Sequence, residues 1–286
     1  MIKLSLQALS CKDALDSGEM DLEDVFHMAA RLRMDGVDLE DRLLIQADDA
    51  YLENLRLLAL RLGLRIGYIG VIVDFNAPAT EIEREITRIH SCVDMAARMG
   101  VRVLRVPGNG VPPGETDESF WPLVVDKMRR AVEYGRKRGV VIGLHNHNHG
   151  AIPATGVQVV RMLDEIDSPY LSHILDTGQY RGSRGANGAD RETGETDESL
   201  YEHIQATAPR AVIARAKFYR VASGEEKWLD YRRIVSILRA AGFNGWISVV
   251  YEGHSAMPSG EAIPLAVQHL RNVLGEDRRQ ASGRRS

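Results

Sequence analysis

Two histidines near the middle of the chain are the first residues whose type and spacing could do chemistry. They occur in the stretch 139–150, which is apolar from Val140 to Leu144 and then reads His145, Asn146, His147. Because a strand alternates its side chains between two faces, both histidines lie on one face and apolar residues on the other. Imidazole titrates near neutral pH and ligates metals. The pattern indicates a strand that opens into a polar site, although a loop held by His and Asn hydrogen bonds is the alternative.

Ionisable residues also lie at the ends of four other strand candidates, where the same two-face rule points them inward. They are Arg105, Asp176, Arg215, Lys217 and Glu252. Burying so many ionisable groups is costly unless they pair with one another or bind a ligand. Groups of this kind in a cleft are candidates for shifted pKa values. A mutually satisfied ion-pair network and a functional site therefore both remain open.

The elements that must position these residues are eight strand candidates, each followed by a helix candidate. The strands are Ile2–Leu6, Gly36–Glu40, Leu64–Tyr68, Val101–Val106, Val140–His147, Leu171–Asp176, Ala211–Phe218 and Trp246–Glu252. The alternation predicts an α/β fold with a parallel sheet. Eight repeats over this length match a single (β/α)8 TIM barrel, typically ~250 residues, with its site at the carboxyl ends of the strands. A doubly wound open sheet is less favoured, because no Gly-rich phosphate turn follows the first strand.

The predicted barrel covers residues 1–275, and the basic segment 276–286 is predicted to be a disordered tail. The long connection 181–197 follows the sixth strand and is rich in glycine and arginine. Long loops on this face are usually functional, so we predict that it forms a mobile lid.

Composition excludes several classes of protein. The 286 residues are 44% hydrophobic and 27% charged, with a net charge of −4, so no nucleic-acid surface is expected. No apolar run is long enough to span a membrane. The two cysteines, Cys11 and Cys92, are too few for a disulfide framework. A cytoplasmic location is predicted.

Four of these strand ends together resemble the xylose-isomerase-like TIM barrels of the sugar phosphate isomerase/epimerase superfamily. Leu144-His145-Asn146-His147 resembles the family's Glu-Asn-His strand end, and 175–179 (Leu-Asp-Thr-Gly-Gln) resembles its Asp-Thr-Gly-His turn. The segment 215–218 (Arg-Ala-Lys-Phe) resembles its His-x-Lys element, and 245–253 is similar to its last strand.

The resemblance implies a divalent cation held by Glu, Asp, His and Glu on strands five to eight. This chain has His145, Asp176, Arg215 and Val250 at those positions, so only the aspartate is retained. The two family glutamates also serve as the acid/base pair that moves a proton next to a carbonyl, and both are replaced here. Arg215 places a permanent positive charge where the cation should sit.

Two arrangements could replace the family site. In the first, His145, Asp176 and Glu252 hold a shifted manganese, magnesium or zinc ion. In the second, no metal is bound and Arg215 pairs with Asp176. Arg215 and Lys217 then stabilise the developing negative charge, and His145 or His147 is the general base. We assign catalysis to His145, His147 and Lys217, and we expect no nucleotide cofactor.

The remaining assignments concern the substrate. We assign substrate binding to Arg105, Gln179, Arg215 and Glu40. The leading hypothesis is an isomerase or epimerase acting on a small carbohydrate or polyol. The alternatives are a lyase acting on an oxidised sugar or glycoside, and a non-catalytic sugar-binding barrel, for example an accessory subunit.

A zinc nuclease of the same barrel class would need more His and acidic ligands and a basic groove. A homo-oligomer and a phosphorylated sugar, bound where 258–260 opens the last helix, remain open.

Overall fold

The computed structural model describes residues 2–44, 48–72, 79–185 and 197–283. Eight parallel strands close into a barrel in chain order, and the last strand pairs with the first. The strands are β1 (Lys3–Gln7), β2 (Gly36–Glu40), β3 (Arg65–Gly70), β4 (Val103–Pro107), β5 (Val141–His145), β6 (Leu171–Asp176), β7 (Ala211–Phe218) and β8 (Trp246–Tyr251). The predicted single (β/α)8 barrel is confirmed.

Helices connect the strands and cover the outside of the barrel. They are α1 (Lys12–Ser17), α2 (Leu22–Arg31), α3 (Asp49–Arg61), α4 (Ile82–Met99), α5 (Asp117–Arg138), α6 (Gly156–Ile166), α7 (Asp197–Thr207), α8 (Tyr231–Ala240) and α9 (Ser259–Gly283). Helix α1 was not predicted from the sequence. Helix α9 continues past residue 275, so residues 276–283 of the predicted tail are helical, and the division at 275 stays a prediction.

The barrel has an outer and an inner core because its strands alternate their side chains. Outward residues such as Ile142, Leu175 and Val249 are fully buried and pack in one cluster with the helices. A separate inner cluster of Tyr68, Ile174 and Ile213 fills the barrel itself. The period-two pattern that the sequence predicted for β5 to β8 therefore describes both faces.

A short antiparallel strand pair joins the loops that follow β4 and β5. Asn109–Gly110 pairs with Ala151–Ile152 above the barrel mouth. A Cβ atom on Gly108 would lie 1.6 Å from the carbonyl oxygen of Ile152, so only glycine allows this approach. Strand β5 ends at His145, two residues earlier than predicted, because the amide of His147 donates to the Pro153 carbonyl at 3.0 Å.

Most of the predicted lid, residues 186–196, lies outside the described residues, and its role stays a prediction. Residues 284–286 of the predicted tail also lie outside them. Among the helices of the described chain, none is long and apolar enough to cross a membrane.

Candidate functional site

Three buried or partly buried ion pairs surround the carboxyl-terminal mouth of the barrel. They are Arg105–Glu40, Arg215–Asp176 and Lys217–Glu252. The first two are 2.6 and 2.8 Å long and connect side chains that are less than 10% exposed. All six residues were predicted from the sequence to belong to the site, and the structure brings them to the same end of the barrel. Each cation therefore has a carboxylate partner, as the ion-pair interpretation required.

His145 connects two of these pairs. Its Nδ1 lies 3.2 Å from Nη1 of Arg105, and its Nε2 lies 3.2 Å from Oδ2 of Asp176. Because a guanidinium only donates and a carboxylate only accepts, Nδ1 carries the lone pair and Nε2 carries the proton. Burial, with the charge of Arg105, lowers the pKa of His145 well below its usual value. His145 is therefore a neutral bridge whose two ring nitrogens are both occupied.

Asp176 is the centre of the network and is fully buried. Its Oδ2 accepts from Arg215 and His145, while its Oδ1 accepts from the amide of Gly178 at 3.0 Å. Burial opposes ionisation, but the charge of Lys217, 3.8 Å away, and the contacts with His145 and Arg215 hold the pKa of Asp176 well below its usual value. The carboxylate is therefore ionised throughout the physiological pH range.

His147 differs from His145 in its hydrogen bonding. Its Nδ1 lies 2.8 Å from the carbonyl oxygen of Asn148, which can only accept, so Nδ1 carries the proton. The lone pair is then on Nε2. Burial lowers the pKa of His147 to about 3, and Lys217 contributes to this shift. The ring is therefore neutral at neutral pH, with its lone pair on Nε2.

Two interior residues were not predicted from the sequence. The hydroxyl of Tyr68 on β3 accepts from Nη1 of Arg215 at 2.7 Å. Asp38 on β2 lies deeper in the barrel than Glu40. Burial raises the pKa of Asp38 to about 6, although the charge of Arg215 and a hydrogen bond from Ser5 both lower it. The alternation of side chains along a strand predicts both residues when it is applied to β2 and β3. Asp38 lies on the same face as Glu40, and Tyr68 lies on the same face as Gly70.

Gln179 follows β6 and is 7% exposed. Its side-chain oxygen Oε1 is buried, as is Nε of Arg105, and neither has a hydrogen-bond partner among the described residues. Buried polar atoms without partners are rare and are often satisfied by a ligand or water. The predicted substrate-binding roles of Gln179, Arg105, Arg215 and Glu40 stay predictions, and the two unpartnered atoms favour those of Gln179 and Arg105.

The chain is similar to known proteins in sequence and in fold. Residues 15–273 match the sequence profile described as the xylose isomerase-like TIM barrel. A 3-dehydroshikimate dehydratase of Pseudomonas putida is 24% identical over an alignment of 260 residues that covers 88% of this chain. Those residues are 39% of that protein, so the chain spans about two fifths of the length of this curated relative.

Two solved structures share the fold. A D-psicose 3-epimerase with D-tagatose from Clostridium cellulolyticum H10 has a TM-score of 0.72 and 14% identity, covering 97% of this chain and 98% of that one. The IOLI protein with a bound zinc atom has a TM-score of 0.74 and 16% identity, covering 96% and 99%.

The residues at the cation positions that the sequence resemblance implies do not fit a divalent ion. Of the three predicted ligands, His145 contacts Asp176, but Glu252 bonds Lys217 instead. Within the described ranges no three His, Cys, Asp or Glu side chains could hold a metal ion together. Arg215 donates to Asp176 directly, the pairing that belongs to the second predicted arrangement, and both arrangements stay predictions. The guanidinium of Arg215 and the ammonium of Lys217 only donate hydrogen bonds and have no lone pair to offer. They therefore place positive charge at this position and cannot act as metal ligands.

Proposed function

Because the chain belongs to the xylose isomerase-like TIM barrel family, we propose that it is an enzyme that moves a proton next to the carbonyl group of a small carbohydrate or polyol. The dehydratase and epimerase relatives support a carbohydrate-like substrate. The proposal depends on one observation, the 2.8 Å contact between Nδ1 of His147 and the Asn148 carbonyl, which places the imidazole lone pair on Nε2. The charge of Lys217 acts on the same ring.

In the proposed reaction, Nε2 of His147 takes a proton from the carbon next to the carbonyl group. The electron pair moves onto the carbonyl oxygen, where negative charge develops. Lys217 stabilises that charge because its ammonium group is only 2% exposed and is held by Glu252 and Asp176. His145 is a positioning residue in this scheme, since both of its ring nitrogens are engaged. It orients Asp176, which in turn holds Arg215 and Lys217.

We further propose that the substrate is not phosphorylated. Arg105, Arg215 and Lys217 each have a carboxylate partner, so the mouth has no net positive charge to attract a phosphate dianion. The first turn of α9, the other position open to a phosphate, already has an anion, because the amide of Ser259 donates to Oδ2 of Asp13 at 2.9 Å. Paired charges instead offer donors and acceptors for hydroxyl groups.

The second candidate is a lyase, which the dehydratase relative favours. After the same proton abstraction, the electron pair would expel the hydroxyl group of the next carbon, which would leave as water with the proton that His147 had taken. In an epimerase or isomerase the proton would return to carbon instead. The third candidate, an accessory sugar-binding barrel, would bind sugar without any proton transfer.

Deuterium exchange distinguishes these candidates. We would incubate the protein with free ketoses and keto-sugars in D₂O and follow the C–H signals by proton NMR. We expect deuterium next to the carbonyl group, and His147→Gln should slow exchange by about a hundredfold or more. The control is His27→Gln, an exposed histidine on α2 outside the mouth, which should exchange at the wild-type rate.

Each outcome has a defined meaning. Exchange with an epimer or isomer as product supports the first candidate, and loss of water supports the lyase. Calorimetric binding of a sugar without exchange would show an accessory barrel. Undiminished exchange in His147→Gln would refute the role of His147.

A further inference from the structure

A cavity of about 580 Å³ lies at the opposite end of the barrel from the proposed site. It is lined by the carboxyl ends of α3 and α4 and by the first residues of several strands, including Arg65 of β3 and Trp246 of β8. Its volume falls within the range of small-molecule pockets, roughly 300–1,000 Å³. None of the mouth residues contributes to it.

At this end of the barrel β3 and β4 are not paired. Their register contains only two residue pairs, Ile69 with Leu104 and Gly70 with Arg105, both at the mouth. The next strand pair, β4 with β5, is joined from Val103 onward. Two residues of the barrel interior, Val103 and Ile213, line the cavity beside these unpaired strand ends.

The walls are largely apolar and partly open to solvent. Leu60 is 74% exposed and Val212 is 39% exposed, and both line the cavity. They are two of the three large hydrophobic side chains that are exposed in the described part of the chain. Exposed apolar side chains that converge on one concavity indicate a binding site.

The charged residues of the lining are all cationic. Arg56, Arg65 and Arg102 line the cavity, and no carboxylate does. Arg56 lies 3.4 Å from Glu53 in an exposed pair. Neither Arg65 nor Arg102 forms an ion pair within the described residues. An apolar cavity with unpaired arginines complements a ligand that has an apolar body and a negative head.

The geometry points to a second binding site at this end of the barrel, for a linear amphipathic carboxylate such as a medium-chain fatty acid. The alkyl chain lies against Leu60, Val212 and Trp246, and the carboxylate lies at Arg65 and Arg102. A concave cavity suits a small molecule better than a protein surface, which needs roughly 800 Å² per partner. The inference is independent of the proposed reaction, because no mouth residue takes part.

The test is calorimetric titration of the whole chain with decanoate. We expect saturable binding of one decanoate per chain, weakened about tenfold or more by Arg65→Glu with Arg102→Glu, since the two reversals repel the head group. The matched control is Arg61→Glu with Arg31→Glu, exposed arginines outside the cavity lining that give the same change in net charge. This control should bind as the wild type does.

Decanol tests the charge separately, because it keeps the alkyl chain and lacks the carboxylate. It should bind the wild type more weakly than decanoate and should be insensitive to the arginine reversals. Equal binding of decanoate by the wild type and the cavity variant, or no binding at all, would overturn the inference. A second copy of the chain is the competing occupant. A dimer seen by light scattering and dispersed by Leu60→Asp would also overturn it.

Discussion

Replacing Arg215 by histidine should create a metal site where the present chain has an ion pair. Nε of Arg215 lies 2.8 Å from Oδ2 of Asp176, the same oxygen that His145 contacts at 3.2 Å. A zinc ion on that oxygen would be roughly 2.0–2.2 Å from it. The guanidinium nitrogen would then be no farther than about 5 Å from the ion, and about 4 Å from it when the two contacts meet at Oδ2 at a tetrahedral angle.

The repulsion can be estimated from Coulomb's law. Two unit charges at ~4 Å and an effective dielectric constant near 20 interact by about 4 kcal/mol, and a divalent ion doubles this to about 8 kcal/mol. Arg215→His removes the charge and adds a nitrogen ligand beside His145 and Asp176. Side-chain relaxation and solvent screening reduce the gain, so we expect zinc binding to strengthen by at least about tenfold, or ~1.4 kcal/mol.

The assay is calorimetric titration of zinc and manganese into the wild type and the variant. Arg215→Gln removes the charge without adding imidazole and should gain only part of the effect. Asp176→Ala in the histidine background should abolish it. Removing one partner of a buried pair can cost about 3–5 kcal/mol, so circular dichroism must first show that each variant is folded. Sub-micromolar zinc binding by the wild type that survives Asp176→Ala would refute the reasoning, as would unchanged affinity in Arg215→His.

Two further predictions concern stability in urea unfolding. The pKa of Asp38 rises from 3.8 to about 6 on folding, so ionising it costs up to about 3 kcal/mol above pH 6 and nothing below about pH 4. Asp38→Asn should therefore stabilise the protein more at pH 7.5 than at pH 5, and an equal effect at both would contradict this. Lys127 is fully buried, and its ammonium lies 3.3 Å from the Glu85 carboxylate. Lys127→Met should therefore lower the free energy of unfolding by about 3–5 kcal/mol, because it leaves a buried charge without its partner. Lys127→Met with Glu85→Gln should recover most of the loss, and no recovery would show that the pair is not the cause.

The strand pattern by itself predicted the barrel and the inner face of its last four strands. Alternation of side chains is a local property, so it placed His145, Asp176, Arg215 and Lys217 inward without any knowledge of the neighbouring strands. Parallel strands of a barrel end at one face, so the sequence also predicted that these residues lie together.

Only the tertiary structure decided which residues pair with one another. Arg215 contacts Glu40, which is 175 positions away, and the hydroxyl of Tyr68. These contacts cross the barrel interior, and the stagger between strands that sets them is not encoded in any single strand. The tautomers of His145 and His147 likewise depend on partners that come from other elements or from the backbone.

The separation of β3 from β4 was also beyond the reach of the sequence. Both strands carry the expected apolar pattern, and nothing in Arg65–Gly70 or Val103–Pro107 indicates where their ladder begins. Pairing depends on how all eight strands share the closure of the barrel. The local sequence therefore determines which way each side chain faces, while closure of the whole barrel determines what it meets.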